Sequence, residues 1–163
     1  ATKVSHANVG KIAASQGEAA LAKICQRIAG DEARHEAFYT KMMGQVMDQD
    51  PEGGMITIGS LFRRVSAMPG RLMTDGKDPD LFDHFAAVAQ RIGVYTITDY
   101  GNIVEHLVST WKLAERSVSG KAARMQEFLC GHAEKCRAMG AQVAEKMAKE
   151  PPVAFSWIFD RKV

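Results

Sequence analysis

The longest stretch of helical periodicity in this chain runs from Glu18 to about Met47. Its apolar residues recur with the i, i+3, i+4 spacing that keeps side chains on one face of a helix. These positions are Leu21, Ile24, Cys25, Ile28, Ala29, Phe38, Met42 and Val46. A helix of this extent is about 45 Å long. The spacing therefore predicts one long amphipathic helix along which the other elements have to pack.

Helical patterns also flank this stretch. Residues 1 to about 14 are typical of the tail of a helix, and Gly17 is expected to separate it from the long helix. Turn-forming residues from Asp48 to Gly54 are expected to end the long helix. A shorter helix should then run from about Met55 to Val65, followed by a loop from Ser66 to Pro79.

A capping pattern predicts where the next helix begins. Asp78 supplies an N-cap oxygen and Pro79 suits the first helical position, because its missing N–H has no partner there in any case. This helix should extend to Ile92 and be ended by Gly93.

The remaining sequence predicts two more helices and a tail. Thr96, with Asp99 three residues later, should cap a helix that reaches Trp111. A last long helix is expected over residues 119–149, and an aromatic-rich extended segment or hairpin over residues 153–163. The pattern is that of an all-α bundle without internal repeats.

Composition excludes several classes of function. A chain of 163 residues with 46% hydrophobic content forms one domain or part of one. The net charge of +2 is too small to favour a nucleic acid or an anionic membrane surface as partner. No apolar run approaches the roughly 20 residues of a membrane span, so a soluble protein is expected. Three cysteines without a CxxC pair favour a reducing compartment.

One short motif carries chemistry. Glu32 and His35 are three residues apart in the long helix, so a carboxylate oxygen and an imidazole nitrogen can reach one metal ion together. Di-iron carboxylate bundles use two such Glu-x-x-His motifs and one Glu from each of two further helices. This chain has only one copy. By spacing alone an ordinary surface pair is the favoured interpretation of the motif, although Asp31 and Arg34 supply further charge nearby.

Other histidines give weaker patterns. Glu105 and His106 are adjacent, so on a helix they point roughly 100° apart and cannot share one ion. His132 lies between Cys130 and Cys136, but helical spacing spreads these side chains around the axis. No serine-hydrolase arrangement, phosphate-binding loop or dinucleotide fingerprint is present.

Eight stretches from one end of the chain to the other carry a more specific pattern. They are Ser5–Asn8, Ile24–Cys25, Ile28–Glu36, Tyr39–Lys41, Ser66–Pro69, Asp80–Phe85, Ala87–Thr96 and Phe155–Arg161. In these stretches the chain closely resembles the soluble acyl-[acyl-carrier-protein] desaturases of plant and algal plastids, in particular the stearoyl-type Δ9 enzymes. The segment from Ala114 to Pro152 resembles the family least.

The resemblance implies a fold and an activity. The fold would be a ferritin-like di-iron helical bundle, with residues 1–163 forming the C-terminal part of a single desaturase domain. The activity would be desaturation of a saturated fatty acyl chain carried on acyl carrier protein, with O2, two iron ions and electrons from ferredoxin. Family members are homodimers of the chloroplast stroma.

The resemblance also assigns roles to residues. Glu32 and His35 would ligate one iron, and Asp31 would be a carboxylate hydrogen-bonded into the ligand network. Thr2 matches a threonine on the oxygen-binding side of the iron site. The positions near the acyl channel and its mouth toward the carrier protein would be Phe82 and Asp83.

The single motif leads to an expectation about completeness. The sequence starts at Ala1 without an initiator Met or leader, as a fragment would, and the family's other ligands lie upstream. The chain would then supply two of six protein ligands, and we expect it to be inactive alone. Two alternatives remain: a non-catalytic desaturase-like subunit of a larger assembly, and a metalloprotein in which two copies pair their motifs across a two-fold axis.

Overall fold

The computed structural model describes residues 1–63 and 72–151, and the regular structure in these ranges is entirely helical. The helices are α1 (Thr2–Ser15), α2 (Ala19–Gln49), α3 (Pro51–Arg63), α4 (Leu81–Arg91), α5 (Ile97–Thr110) and α6 (Gly120–Lys149), with a 3-10 turn at Leu113–Glu115 between the last two. The all-α prediction is confirmed. The extended tail predicted for residues 153–163 lies outside the described residues.

Helices α1 and α2 form an antiparallel hairpin. The break predicted at Gly17 is confirmed: this residue has φ +80°, and the following N–H, that of Glu18, donates to the Ala13 carbonyl at 2.9 Å. The two helices approach closely, since a Cβ built on Gly10 would lie 3.2 Å from the Cys25 Cβ. This packing buries Cys25, as its apolar neighbours in the sequence suggest.

The turn predicted from Asp48 to Gly54 is wrong in its extent. Helix α2 continues to Gln49, and α3 already begins at Pro51. Asp50 alone makes the break, because its Oδ1 accepts the Gly53 N–H at 2.8 Å and its carbonyl accepts the Gly54 N–H at 2.9 Å. Residues typical of turns are therefore used in the first turn of a helix. The expected end of α3 at Val65 falls outside the described residues.

The predicted start of α4 is also wrong by two residues, since the helix begins at Leu81. Asp78 does not cap it as expected. Its Oδ1 accepts the Asp80 N–H at 2.9 Å, which closes a local turn, and its Oδ2 lies 2.6 Å from the His84 Nδ1. The end of the helix is as predicted, with Gly93 at φ +76°.

The signals that begin the last two helices are confirmed. Thr96 forms a full capping box, in which its hydroxyl accepts the Asp99 N–H and the Asp99 carboxylate accepts the Thr96 N–H. Ser119 precedes α6, which ends at Lys149. Trp111 follows the last residue of α5 and begins the connection to the 3-10 turn.

The main core lies at the C-terminal end of α2. It is formed by residues of α2, α3, the α5–α6 connection and α6: Met47, Met55, Ile58, Trp111, Leu113, Ala122, Met125 and Leu129. Helices α5 and α6 also pack closely, and a Cβ on Gly101 would lie 2.9 Å from the Cys136 Cβ. The Glu-x-x-His motif is in the middle of α2, outside this core.

One face of α2 carries exposed apolar side chains, which we call the α2 apolar face. It consists of Leu21, Ile24, Phe38, Tyr39, Met42 and Val46. On α1, by contrast, Val4, Val9 and Ile12 are half-buried. Within the described residues, no helix combines the length and apolar character that crossing a membrane requires.

Candidate metal centre

Glu32 and His35 lie on the same side of α2, as their spacing predicts. The Glu32 Oε2 and His35 Nδ1 atoms are 3.8 Å apart, and the two side chains are 28% and 66% exposed. Carboxylate and imidazole ligands bind first-row metal ions at about 2.1 Å, so donor atoms of one ion lie at most about 4.2 Å apart. The observed separation therefore allows both side chains to bind the same ion.

The start of α1 contacts this pair. Because the hairpin is antiparallel, Thr2 lies beside the middle of α2, and its Oγ1 donates to the Glu32 Oε2 at 2.6 Å. One turn further along α2, Glu36 forms an ion pair with Lys3 at 2.5 Å. The hydroxyl of Thr2 thus fixes one oxygen of the candidate ligand.

Asp31 lies beside the motif but turns to another partner. Its carboxylate forms an ion pair with Arg34, and the Asp31 side chain is half-buried while that of Arg34 is exposed. Among the contacts of the described residues, none joins Asp31 to His35. The predicted role of Asp31 in orienting the imidazole stays a prediction.

The pair opens into a cleft of about 890 Å³ between α2 and α5, which we call the α2–α5 cleft. Its polar lining residues include Glu32 and His35 with Thr2 from α1, and also Asn102 from α5. The rest of the wall is mainly apolar and includes Met42, Met43, Val46, Ile58, Leu107 and Trp111.

His106 lines the same cleft, although its adjacency to Glu105 in the sequence gave no sign of this position. The informative spacing is the one along α5. Asn102 and His106 are four residues apart and therefore share the helix face that meets the cleft.

The donor set in the described residues fits part of a metal centre. Glu32 and His35 have suitable chemistry and separation for two ligand positions. No group of three His, Cys, Asp or Glu side chains in residues 1–63 and 72–151 is arranged to hold a metal ion. The described residues therefore fit two ligand positions of a metal site and do not complete one by themselves.

The two positions that the resemblance assigns to the acyl channel lie elsewhere. Phe82 and Asp83 are in the first turn of α4, where Phe82 is half-buried and Asp83 exposed, and neither lines the α2–α5 cleft. The structure thus brings Thr2, Glu32 and His35 together and leaves these two residues apart from them.

In the described part of the chain, His132 does not form a metal-binding group with Cys130 and Cys136, as the helical spacing of these three residues predicts. The imidazole packs against the rings of Phe128 and Tyr100, with centroids 4.6 Å and 5.8 Å away. Burial, and then the charge of Lys135, lower the pKa of His132. The burial that lowers this pKa comes with the packing of the imidazole against the two aromatic rings.

A helical bundle that directs a carboxylate, an imidazole and a hydroxyl into one cleft has the architecture in which helical carboxylate metalloproteins build their metal sites. Comparison with known families agrees, since a family described as fatty acid desaturase matches residues 1–159. The chain belongs to this family.

Individual relatives match over the whole of this chain. It is 44% identical over 167 residues to stearoyl-[acyl-carrier-protein] 9-desaturase 6, chloroplastic, of Arabidopsis thaliana, and covers 43% of that protein. It is 46% identical over 168 residues to stearoyl-[acyl-carrier-protein] 9-desaturase 1, chloroplastic, of Oryza sativa subsp. indica, and covers 44% of it. For the stearoyl-[acyl-carrier-protein] 9-desaturase, chloroplastic, of Carthamus tinctorius the values are 43% identity over 164 residues and 41% coverage. The chain spans less than half the length of these relatives.

Proposed function

We propose that this sequence is the C-terminal part of an acyl-[acyl-carrier-protein] desaturase of the stearoyl Δ9 type. Membership of the fatty acid desaturase family and the names of the relatives support the activity. The observation that carries the site is the contact of Thr2 with Glu32, one turn from His35, in a cleft large enough for a metal centre.

The reaction forms a carbon–carbon double bond by removing two hydrogens from neighbouring methylene groups of a fatty acyl chain. One O2, two electrons and two protons, together with the two substrate hydrogens, give two molecules of water. Ferredoxin supplies the electrons in this proposal. A pair of iron ions would supply the oxidising power that an unactivated C–H bond requires.

The described residues have distinct parts in this proposal. Glu32 and His35 supply one carboxylate and one imidazole to the iron pair. The hydroxyl of Thr2 holds the Glu32 carboxylate by its Oε2 atom, which restricts rotation of the ligand. Asp31 and Arg34 form an ion pair beside the motif, which limits the net negative charge there. The channel and carrier-protein positions are Phe82 and Asp83.

The proposal requires a longer polypeptide. Since the chain covers 41 to 44% of the relatives described above, the remaining carboxylates and the second imidazole would come from outside the described residues. The complete enzyme would be a homodimer in the chloroplast stroma, with acyl carrier protein and ferredoxin as partners. The chloroplastic names of the relatives support this location.

A second candidate is a desaturase-like helical subunit without catalytic activity. The α2 apolar face favours it, because Phe38 and Tyr39 are 59% and 68% exposed beside the motif. Contiguous exposed apolar surface marks a contact site. The remainder of a complete desaturase domain would cover the same face, so metal content distinguishes the two candidates.

The test uses the complete polypeptide that carries this sequence. Iron per chain is measured by elemental analysis, and the acyl products of stearoyl-acyl carrier protein by mass spectrometry. We expect about two iron ions per chain and an oleoyl product. Glu32→Gln should lose iron and activity, whereas the matched control Glu145→Gln, an exposed carboxylate paired with Lys149 on α6, should keep both. A folded protein without iron or turnover would refute the proposal and favour the helical subunit.

A further inference from the structure

Two side chains from the connection after α5 hold the C-terminal half of α2. The first is Trp111, which is 6% exposed and donates its indole N–H to the Thr40 carbonyl at 2.9 Å. Thr40 is five residues after His35, in the middle of a continuous helix. This bond therefore joins the connection to the backbone of α2 within two turns of the candidate ligands.

The second side chain is Arg116, which is 19% exposed. Its guanidinium donates to the Met47 carbonyl and to the Asp48 Oδ1 (2.7 Å), both at the end of α2, while its Nε donates to the Trp111 carbonyl at 2.9 Å. The Gln126 amide of α6 donates to the Arg116 carbonyl at 2.8 Å. The end of α2 is thus bonded to a segment that is itself fixed to α6.

The opposite side of the motif is held by α1, through the contact of Thr2 with Glu32 and of Lys3 with Glu36. The two ligand candidates therefore lie between two anchors, one from α1 and one from Trp111 and Arg116. Side-chain donors lie about 6 Å from a helix axis, so a rotation of α2 by 10° moves them by about 1 Å. A metal site tolerates displacements of about 0.5 Å.

We propose that Trp111 and Arg116, which we call the α2 clamp, are positioning residues for the Glu32–His35 pair and act by fixing the rotation and axial position of α2. This inference rests on the proposed function, because it assumes that the pair binds metal. The two residues contact the backbone or the end of α2, and neither is assigned as a ligand.

The test compares three variants in the complete polypeptide, with cobalt(II) as the metal added to iron-free protein. Trp111→Phe keeps an aromatic ring and removes the indole N–H. Arg116→Lys keeps the positive charge, but an ammonium group cannot reproduce the hydrogen bonds of the guanidinium to the Trp111 and Met47 carbonyls and the Asp48 carboxylate. The control is Val104→Ala, which removes volume from a buried position on α5 outside the core that contains Trp111. Cobalt affinity, its visible absorption spectrum and the melting temperature are measured for each.

We expect both clamp variants to bind cobalt about threefold to tenfold more weakly with an altered spectrum, a smaller loss than the 10- to 100-fold for residues bonded directly to a ligand. Val104→Ala should lower the melting temperature and leave affinity and spectrum unchanged. The proposal is overturned if both clamp variants bind like the wild type, or if Val104→Ala weakens binding equally. If one of the two clamp variants does not fold, the cobalt affinity and spectrum of the other variant decide the outcome. A wild type that binds no cobalt overturns the proposed function and the positioning role together.

Discussion

Replacing Gly101 with alanine should destabilise the protein, although alanine favours helices. Gly101 is on α5 at its contact with α6, and a Cβ there would lie 2.9 Å from the Cys136 Cβ and 3.0 Å from the Ala133 carbonyl oxygen. Real Cβ atoms essentially never approach other atoms below 3.0 Å. The carbonyl belongs to the α6 backbone and cannot rotate away, so the two helices have to separate.

The magnitude follows from two opposing terms. Overpacking of a close contact costs about 1–3 kcal/mol, and the rigid backbone at this contact favours the upper part of that range. Alanine is about 1 kcal/mol better than glycine within a helix. We therefore expect Gly101→Ala to lower the free energy of unfolding by about 1–2 kcal/mol.

Gly131 provides the matched control in α6. A Cβ at this position has no atom within 4 Å, so only the helix-propensity gain remains. Gly131→Ala should raise the free energy of unfolding by about 0.5–1 kcal/mol. The same chemical change thus has opposite signs at the two positions.

The assay is urea denaturation followed by circular dichroism, with thermal unfolding as a second measurement. The two variants should differ by about 1.5–3 kcal/mol, which corresponds to about 3–12 °C in melting temperature at 2–4 °C per kcal/mol. Equal stabilities, or a Gly101→Ala variant more stable than the wild type, would refute the close α5–α6 contact as the reason for glycine.

Three further outcomes are expected. Thr96→Ala removes the capping hydroxyl of α5 and should cost about 1 kcal/mol in denaturation, whereas Thr96→Ser should cost less. Leu129→Ala, at a core position that is 1% exposed, should cost about 2–5 kcal/mol by the same measurement. The hydrogen bond to Asp78 raises the pKa of His84 above 6.5, so its stabilising contribution is present below pH 6.5 and is lost as pH rises through the higher folded value. Amide hydrogen exchange at the start of α4 should therefore become faster relative to its intrinsic rate at higher pH, and His84→Gln should remove this dependence.

Local signals in the sequence predicted some helix ends correctly and others wrongly, for a physical reason. The Thr96 capping box and the Gly17 break depend only on a few adjacent residues. Their positions could therefore be predicted from the local sequence. The Asp78 carboxylate has two other partners, since its Oδ1 accepts the Asp80 N–H in a local turn and its Oδ2 lies 2.6 Å from the His84 Nδ1. The capping pattern does not contain the contact with His84, which is six residues away. Between α2 and α3 the pattern predicted a seven-residue turn, whereas the helices are separated by Asp50 alone, whose side chain accepts the Gly53 N–H.

The candidate site was predictable only where one helix contains it. Glu32 and His35 share a turn, so their spacing was sufficient. The resemblance drew attention to Thr2, but its contact with Glu32 arises from the antiparallel pairing of α1 and α2. His106 comes to the cleft from α5, and no local spacing relates it to α2. The hydrogen bond from Trp111 to the Thr40 carbonyl likewise joins residues 71 positions apart in the sequence.

Under the proposed function, one missing element explains both why the Glu32–His35 pair is exposed and why the apolar side chains around it are exposed. An oxidant able to attack a C–H bond requires a site from which water is excluded, yet His35 is 66% exposed and lies beside exposed Phe38 and Met42. A cover that buries these apolar side chains would also exclude water from the ligands. The remaining ligands are expected on helices outside the described residues. The same helices can therefore supply these ligands and cover the α2 apolar face. Metal binding and burial of the α2 apolar face should therefore occur together in the complete polypeptide.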